Sequence, residues 1–563
     1  MTWLRKFCLV ASPAAALLVM PLFAQPSPML QISQSGGNAL LSWTTASGYQ
    51  LVQTTTNLSR PITWQSGSAN LFFGGPVTDV PVTISQPSQF FRLAQVVPVF
   101  QFGVFYNLDL DISPGQPMTL NGPVFCNGNI WMWPYAAMTF NNSVEAAGTV
   151  YAQMQPNDQQ SSSGYVAPTY IAGQPVSHVG PLVLLSALTN AAPASLVQTF
   201  LNLPPPNLGA PNPAAYLSTN QIYLFNESDL IISNSIAGTN GTKGTNITVW
   251  FQDPNQPTAL TRISNDFYAL KTGGSTNIVN NFSGVDSPTN VIYASFSFVT
   301  NVQFYDYRES DTIQAVQVDV GKLNIWLTNT ANTGGSSINQ TSYADKGRGI
   351  YSIYIYNNVP LSNIQLPAVR MVNGAQLPYT TDPGGSGRTT SGLTVTTPQP
   401  IYIKGNYNVQ TATSAANASA GTTNTAYTYP AALMGDAITV LSANWSDNFN
   451  ASTSLSSRVP TSTTLNAACL AGIVQSTNSG GTLYYSGGLE NYLRLEENWS
   501  ASTILTYNGS IVAMFPSQYA TNFWQVPGSY YNPPIRHWNF DLNFTDLTKL
   551  PPLTPMVANF VTP

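Results

Sequence analysis

The chain has 563 residues, and only 7% of them are charged, giving a formal net charge of −5, where a soluble domain usually carries roughly a quarter charged residues. With so few cations to neutralise phosphates, a nucleic-acid binder of the usual basic kind is excluded. With 43% hydrophobic residues, charge-driven disorder is excluded too. The remainder is Ser, Thr, Asn and Gln with 41 Gly and 42 Pro, a mixture that reads as an all-β extracellular protein.

Residues 1–24 read as a signal peptide. Arg5 and Lys6 precede a mostly apolar stretch from Phe7 to Phe23, and Ala24 offers a small residue before Gln25. No later run approaches the ~18 apolar residues of a spanning helix, so the mature chain is expected to be secreted or held at the outer cell surface with no transmembrane segment. Cys8 leaves with the signal. Cys126 and Cys469 remain, and whether they pair is left open by the sequence, buried thiols being the commoner state of isolated cysteines.

Residues 25–97 predict a small β-sandwich module. Ala39–Trp43, Tyr49–Gln53, Val80–Ile84 and Phe90–Leu93 are short runs separated by turn residues. Leu41-Ser42-Trp43, Thr56-Asn57-Leu58, Trp64 and Phe90-Phe91-Arg92-Leu93 resemble immunoglobulin- or fibronectin-like modules near the start of many secreted bacterial proteins. Residues 98–170 change grammar. Strands of about three residues are punctuated by Asn121-Gly122 and Asn127-Gly128, and Gly128-Asn129-Ile130-Trp131 recurs as Gly148-Thr149-Val150-Tyr151 twenty residues later. That spacing predicts the first coils of a parallel β-helix, whose repeats bury a core only by stacking. Stacking in register also explains the missing charge: like charges repel, while Asn, Ser and Thr form ladders.

Residues 159–226 contain no charged residue, and Gly180–Leu203 has a helical look before Pro204-Pro205-Pro206. Residues 171–300 are expected to be an insertion of mixed helix and β. Residues 301–514 continue the β-helix, with coil grammar at Leu393–Val395 and Pro400–Asn408 and a flexible polar loop at 410–425. Residues 515–563 are rich in aromatics, and Phe515–Phe544 is expected to cap the C-terminal end of the solenoid, with Trp538, Phe540 and Phe544 turned inward. The fold class is therefore all-β: a small N-terminal β-sandwich followed by an interrupted right-handed parallel β-helix with an inserted region.

Four segments carry a family resemblance: Asp109–Gly115 with Met118–Gly122, Tyr305–Glu309, Gly435–Thr439, and Tyr507–Ser510 through Tyr530–Pro534. Across roughly residues 100–555 the chain resembles a group of uncharacterised secreted bacterial proteins. Their C-terminal domains are similar to those of minor type IV pilus components of the PilX kind. The resemblance implies a β-helix and a cell-surface setting, with no activity attached. The pilin-type N-terminal helix is replaced here by the signal peptide and β-module.

Asp306, Arg308, Glu309 and Asp311 form the densest charge cluster. If the segment is a strand, Asp306 and Arg308 share one face and Glu309 and Asp311 the other. Asp306, Glu309 and Asp311 are thus weak candidate catalytic carboxylates for glycoside chemistry; the plainer expectation is an Asp–Arg pair and a turn. Glu490, Arg494, Glu496 and Glu497 are expected on a short surface helix with Glu490 and Arg494 paired. Asp109 and Asp111 alternate, Asp345–Gly349 reads as a turn, and two histidines, His178 and His537, cannot build a multi-histidine zinc site. No nucleophile elbow, phosphate loop or metalloprotease motif is present, and neither metal nor cofactor is expected. The expected function is a non-catalytic structural or adhesive protein, meeting cell-surface components, pili or glycans. The alternative is a polysaccharide-acting or carbohydrate-binding protein on the same scaffold.

Overall fold

The computed structural model describes residues 30–43, 49–56, 71–73, 77–83, 88–158, 160, 163–184, 198–203, 223–236, 245–251, 298–328, 350–378, 392–411, 418–426, 428–499, 502–524 and 530–560. Strand accounts for 46% and helix for 8%, so the chain is nearly all β. The signal-peptide expectation for 1–24 and the turn at 345–349 lie outside the described residues.

The backbone of the molecule is an eleven-stranded sheet. Its spatial order is Val176–Ser177, Val144–Ala146, Val124–Cys126, Val104–Tyr106, Ile511–Pro516, Ala468–Ile473, Ala431–Gly435, Leu393–Thr396, Ser352–Asn357, Leu230–Ile236 and Thr245–Phe251. Every pairing is parallel except the last, a hairpin. A second sheet orders Val299–Asp306, Asp311–Asp319, Gln365–Val372, Ile401–Lys404, Ile438–Leu441 and Leu493–Leu495. Smaller parallel sheets hold Leu110–Ile112, Ile130–Met132 and Val150–Tyr151; Met118–Leu120, Met138–Phe140 and Thr169–Tyr170; and Thr463–Asn466, Ile504–Gly509 and Ile535–Phe540. Over 104–151 the register is twenty residues, as in Val104↔Val124↔Val144 and Leu110↔Ile130↔Val150. Long parallel sheets of this kind are compatible with a β-helix.

The order along the stack differs from the order along the chain. From one end the strands run 230, 352, 393, 431, 468 and 511, and then 104, 124, 144 and 176. Both halves advance the same way, so the stack reads as one succession that the chain enters in the middle. The joint is the parallel pairing of Ile511–Ala513 with Val104–Tyr106. Phe515–Phe544 therefore does not cap an end. Ile535–Phe540 pairs with Ile504–Gly509, and its Asn539 accepts from Asn121 of the first coil at 2.7 Å. Gly103 and Gly122 let the two halves close: a Cβ on Gly122 would lie 2.7 Å from Gly103 Cα and 2.6 Å from Phe540 Cγ.

Three packing layers follow from strand alternation. Val104, Cys126, Ile130, Met138, Val395, Leu433, Cys469 and Trp538 point into the stack. Phe105, Phe125, Met434, Leu470 and Val512 point outward, where Val99, Phe100, Leu182, Phe200, Phe544 and Val557 cover them. Phe304, Ile313, Leu366 and Tyr402 of the second sheet pack with Trp445 in a further buried layer. Strands buried on both faces need apolar residues at every position, which accounts for Val124-Phe125-Cys126 where an alternating pattern would suffice for a half-exposed strand. Both cysteines are free and buried, and burial pushes each thiol up to about 12.

Asparagine ladders link adjacent parallel strands. Asn141 donates to Asn121 and Asn121 to Asn539, both at 2.7 Å. Asn508 donates to Asn466 at 2.8 Å, and Asn466 and Asn408 exchange amide-to-carbonyl bonds at 3.0 and 2.9 Å.

Other expectations need correction. Within Gly180–Leu203, Leu182–Leu184 is a strand paired with Met556–Phe560, and Thr199–Leu201 is a single 3-10 turn; 185–197 lie outside the described residues. Leu230–Ile236 belongs to the long sheet, so part of the expected insertion is stack. In the polar loop 410–425, the described part docks: Gly421 N–H donates to Thr464 at 2.8 Å, and Thr422 O accepts from Asn508. At the N-terminus, Leu30–Ser35, Asn38–Trp43 and Val77–Thr83 form one antiparallel sheet. Tyr49–Thr55, Leu71–Phe73 and Phe90–Pro98 form another, joined by Met556–Phe560 and Leu182–Leu184. Leu41, Trp43 and Val52 are buried in one cluster with Val80, Phe91 and Leu93.

Candidate functional site

Where the two halves of the stack meet, a cleft of about 360 Å³, open mouth included, is lined from four directions. The first coil supplies Tyr106, Asp109 and Asp111; the turn joining Val299–Asp306 to Asp311–Asp319 supplies Arg308. The chain after Ala468–Ile473 and the loop 486–491 give the far wall, and Tyr492 and Arg494 close the floor.

The sequence expectation of a strand through 306–311 is corrected first. Residues 307–310 are the turn itself, with Ser310 at φ 54°, and Asp306 and Asp311 are cross-strand partners. Two-residue alternation does not apply to a turn, so the predicted sharing of faces fails. The turn reaches across the outer face of the second sheet to Leu493–Leu495. There Glu309 forms an ion pair with Arg494, both side chains 5% exposed, and also accepts from Asn522 N–H at 3.0 Å. Asp306 is buried, accepting from Tyr402 Oη at 2.6 Å and from Glu309 N–H at 2.7 Å. Asp311 accepts from its neighbour Thr312 N–H at 2.6 Å. None of the three candidate carboxylates lines the cleft; Arg308, between them, does.

The second cluster is not a surface helix. Leu489–Asn491 is a buried 3-10 turn, Arg494 sits in a strand, and Glu496 and Glu497 are fully enclosed. Arg494 pairs with Glu309 rather than with Glu490. Glu496 accepts from Tyr307 N–H at 2.7 Å, and its other oxygen has no donor. Burial, followed by the facing Asp306, pushes the Glu496 carboxyl well above its ordinary range. Arg458 lies over the Tyr307 ring at 3.4 Å and donates to the carbonyls of Glu496 and Tyr530.

At and behind the cleft lining, the carboxyls of Asp111, Asp158 and Glu490 act on one another, with Arg536 the cation that acts on Glu490. Asp111 accepts from Ser113 at 3.0 Å and interacts with the Tyr485 hydroxyl, while one oxygen each of Asp158 and Glu490 is buried without a hydrogen-bond partner. Burial, then Glu490 and Asp158, raises Asp111 well above the carboxylate range; burial raises Glu490 to about 7. Gly487 and Gly488, at φ 93° and 70°, bend the loop tightly. A Cβ on Gly488 would lie 2.9 Å from Glu490 Oε2 and 3.1 Å from Tyr485 Oη. The sequence had flagged Asp111 and Glu490 only for other roles and missed Asp158 and Tyr485. The glycine doublet beside Glu490 was the available signal.

Asp109, at the cleft, accepts from Asn129 N–H at 2.8 Å and from Trp131 Nε1 at 3.3 Å. Trp131 stacks on Tyr151 at 4.3 Å and Trp133 packs on Tyr165 at 4.6 Å. Among the described residues no three His, Cys, Asp or Glu side chains gather as metal ligands, and no helix is long and apolar enough to cross a membrane. No family model matches the chain, and neither the curated proteins nor the solved structures contain a significant match.

Proposed function

We propose that the chain is a non-catalytic scaffold, secreted or held at the outer cell surface, that works by structure and adhesion. Its parallel sheets are the faces of an interrupted β-helix, right-handed as nearly all parallel crossovers are, and the two N-terminal sheets are a small β-sandwich. The resemblance to secreted proteins with PilX-like C-terminal domains supports an association with pili or the envelope.

The observation that carries this reading is where the charges go. Asp436 receives the N–H groups of Gln518, Tyr519 and Ala520 at 2.6–3.0 Å, Asp229 those of Tyr351 and Ser352, and Glu497 the N–H and hydroxyl of Ser442. Asp306 and Glu309 are engaged in the same way. Carboxylates bound to backbone donors and cations hold coils together and are not free to move protons to a substrate. Among the described residues, the face with Trp131 stacked on Tyr151 and Trp133 packed on Tyr165 offers aromatic rings suited to contact by stacking.

Fractionation of the producing cell, with surface labelling of intact cells, tests the address: recovery in the medium or on the surface supports the reading, and an intracellular protein retaining residues 1–24 overturns it. The alternative, a polysaccharide-acting protein, is favoured by Glu490 alone, a carboxyl that stays protonated up to about 7 beside a cleft. Incubation with a polysaccharide panel between pH 5 and 8 separates the two: new reducing ends or unsaturated sugars would establish the alternative.

A further inference from the structure

We propose that the last coil of the stack is a self-association surface, on which two copies of this chain meet end to end about a two-fold axis. The proposal goes beyond the adhesive reading and does not depend on it.

Three parallel sheets finish together at this end. Val150–Tyr151, Thr169–Tyr170 and Val176–Ser177 are each the outermost strand of their sheet, and among the described residues no strand pairs beyond them. The apolar core is cut across at the same level. Ile130 and Phe140 are fully buried, whereas Val150 and Tyr170, their partners in the next coil, are only half-buried. Around them Tyr165, Val166, Ile171 and Val176 are exposed, Ile171 by 64% and Val176 by 50%. Free strand edges beside apolar side chains template pairing with another chain, and native proteins commonly guard them with charge, above all with lysine. Here that guard is missing. Residues 159–226 contain no charged residue, and the one acid of the last coil, Asp158, is buried.

Two features name a second copy as the occupant. An isologous contact places each group near its own copy, so a charge close to the axis meets its like. A neutral face is what such a contact needs on a chain of net charge −5, whereas an unlike partner is better matched by complementary charge. The far end of the stack has a different outline. There both long sheets finish in antiparallel hairpins, Leu230–Ile236 with Thr245–Phe251 and Val299–Asp306 with Asp311–Asp319. Open end on open end therefore closes as a dimer, where head-to-tail contact would run on into a filament. Size agrees, since a coil running from 150 to 178 supplies the roughly 20–30 residues a side of a standard interface. Pro168 and Pro175 stand just ahead of two of the strands and have no N–H to give. Strand pairing is thus confined to short segments, and apolar burial holds the contact.

Sedimentation equilibrium of the purified chain from about 0.1 to 100 μM tests this, with hydrogen exchange measured at the two ends of that range. The expected result is a monomer–dimer equilibrium without larger species, in which the amides of 165–178 exchange more slowly at the higher concentration. Ile171→Lys combined with Val176→Lys should weaken association at least about ten-fold, because the added cations meet their own copies across the axis. Ile32→Lys, at a position 54% exposed on the N-terminal sheet, should leave association unchanged. A wild-type chain that stays monomeric at the highest concentration, oligomers that grow without limit, or a double variant that dimerises as strongly as the parent would each overturn the proposal. If the double variant does not fold, exchange on the wild-type chain decides it. Equal protection of 165–178 at both concentrations would mean that no second copy covers the coil, and would overturn the proposal as well.

Discussion

Arg494 and Glu309 are 185 residues apart in sequence and joined in a buried ion pair. Sequence reading picked out both clusters that contain them, because charge is rare in this chain, but it paired each cluster within itself. Spacing along a chain cannot reveal that a hairpin turn is carried over a sheet face onto a distant strand. Removing one partner leaves the other charge buried and alone, so Arg494→Met and Glu309→Gln should each cost about 3–5 kcal/mol. The double variant should cost clearly less than the two singles together, and denaturant unfolding of the four proteins measures the coupling. Trp538 was expected to be turned inward, and it is: 5% exposed, edge-on to Tyr507 at 5.9 Å. Trp538→Ala should cost about 3–5 kcal/mol, read as a lower melting temperature.

At the scale of elements, the ladders do what charged pairs do elsewhere. Asn466 sits between Asn408 and Asn508, and all three are buried. Asn466→Ala removes the acceptor of the Asn508 amide and the donor to the Asn408 carbonyl. The loss should be about 2–3 kcal/mol, from buried groups left unsatisfied, with Asn466→Asp and Asn466→Gln failing to restore it in full. Equal unfolding midpoints for Asn466→Ala and the parent would show that the ladder adds nothing. The twenty-residue period over 104–151 was legible because Gly128 and Gly148 mark equivalent turns. The helical look of Gly180–Leu203 misled because an apolar run destined for burial on both faces has no period to read. Leu182 and Leu184 face the layer outside the long sheet as strand residues.

For the whole molecule, buried carboxyls set the response to pH. Burial raises Asp111, Glu490, Glu496, Asp436 and Asp541 above their ordinary values. Asp447 moves the other way, because the Arg370 fork at 2.6 and 2.7 Å outweighs its desolvation. A carboxyl with a raised folded pKa binds its proton more tightly folded than unfolded. Its stabilisation is full below the unfolded value and is lost as pH rises through the folded one. For Glu490 that window runs from about 4.5 to about 7. Melting temperature should therefore fall from pH 5 to pH 8, and Glu490→Gln should flatten the part ending near 7. A melting temperature that rises over that interval would contradict the protonated assignment. The mid-stack joint has its own consequence: Val104–Tyr106 waits for Ile511–Ala513 before its sheet is continuous. Such non-local pairing slows folding, and a chain ending before 504 should leave 104–177 open to proteolysis while the full chain resists it.

Composition by itself determined the β class and the use of neutral ladders, since 7% charge and dense Asn, Ser and Thr suit coils stacked in register. Turn glycines determined the twenty-residue spacing over 104–151, because tight turns recur there at equivalent places, whereas the strands from 393 to 511 advance by 36–42 residues. The tertiary structure alone decided that the stack is entered in its middle, that Met556–Phe560 returns to the N-terminal sheets, and that the aromatic segment is an interior coil. It also decided which acids meet Arg308 across a cleft. The reason is physical: local chemistry sets how each residue bends and which face it buries. Which distant strand supplies the matching edge depends on closing the whole stack, and no short stretch of sequence contains that information.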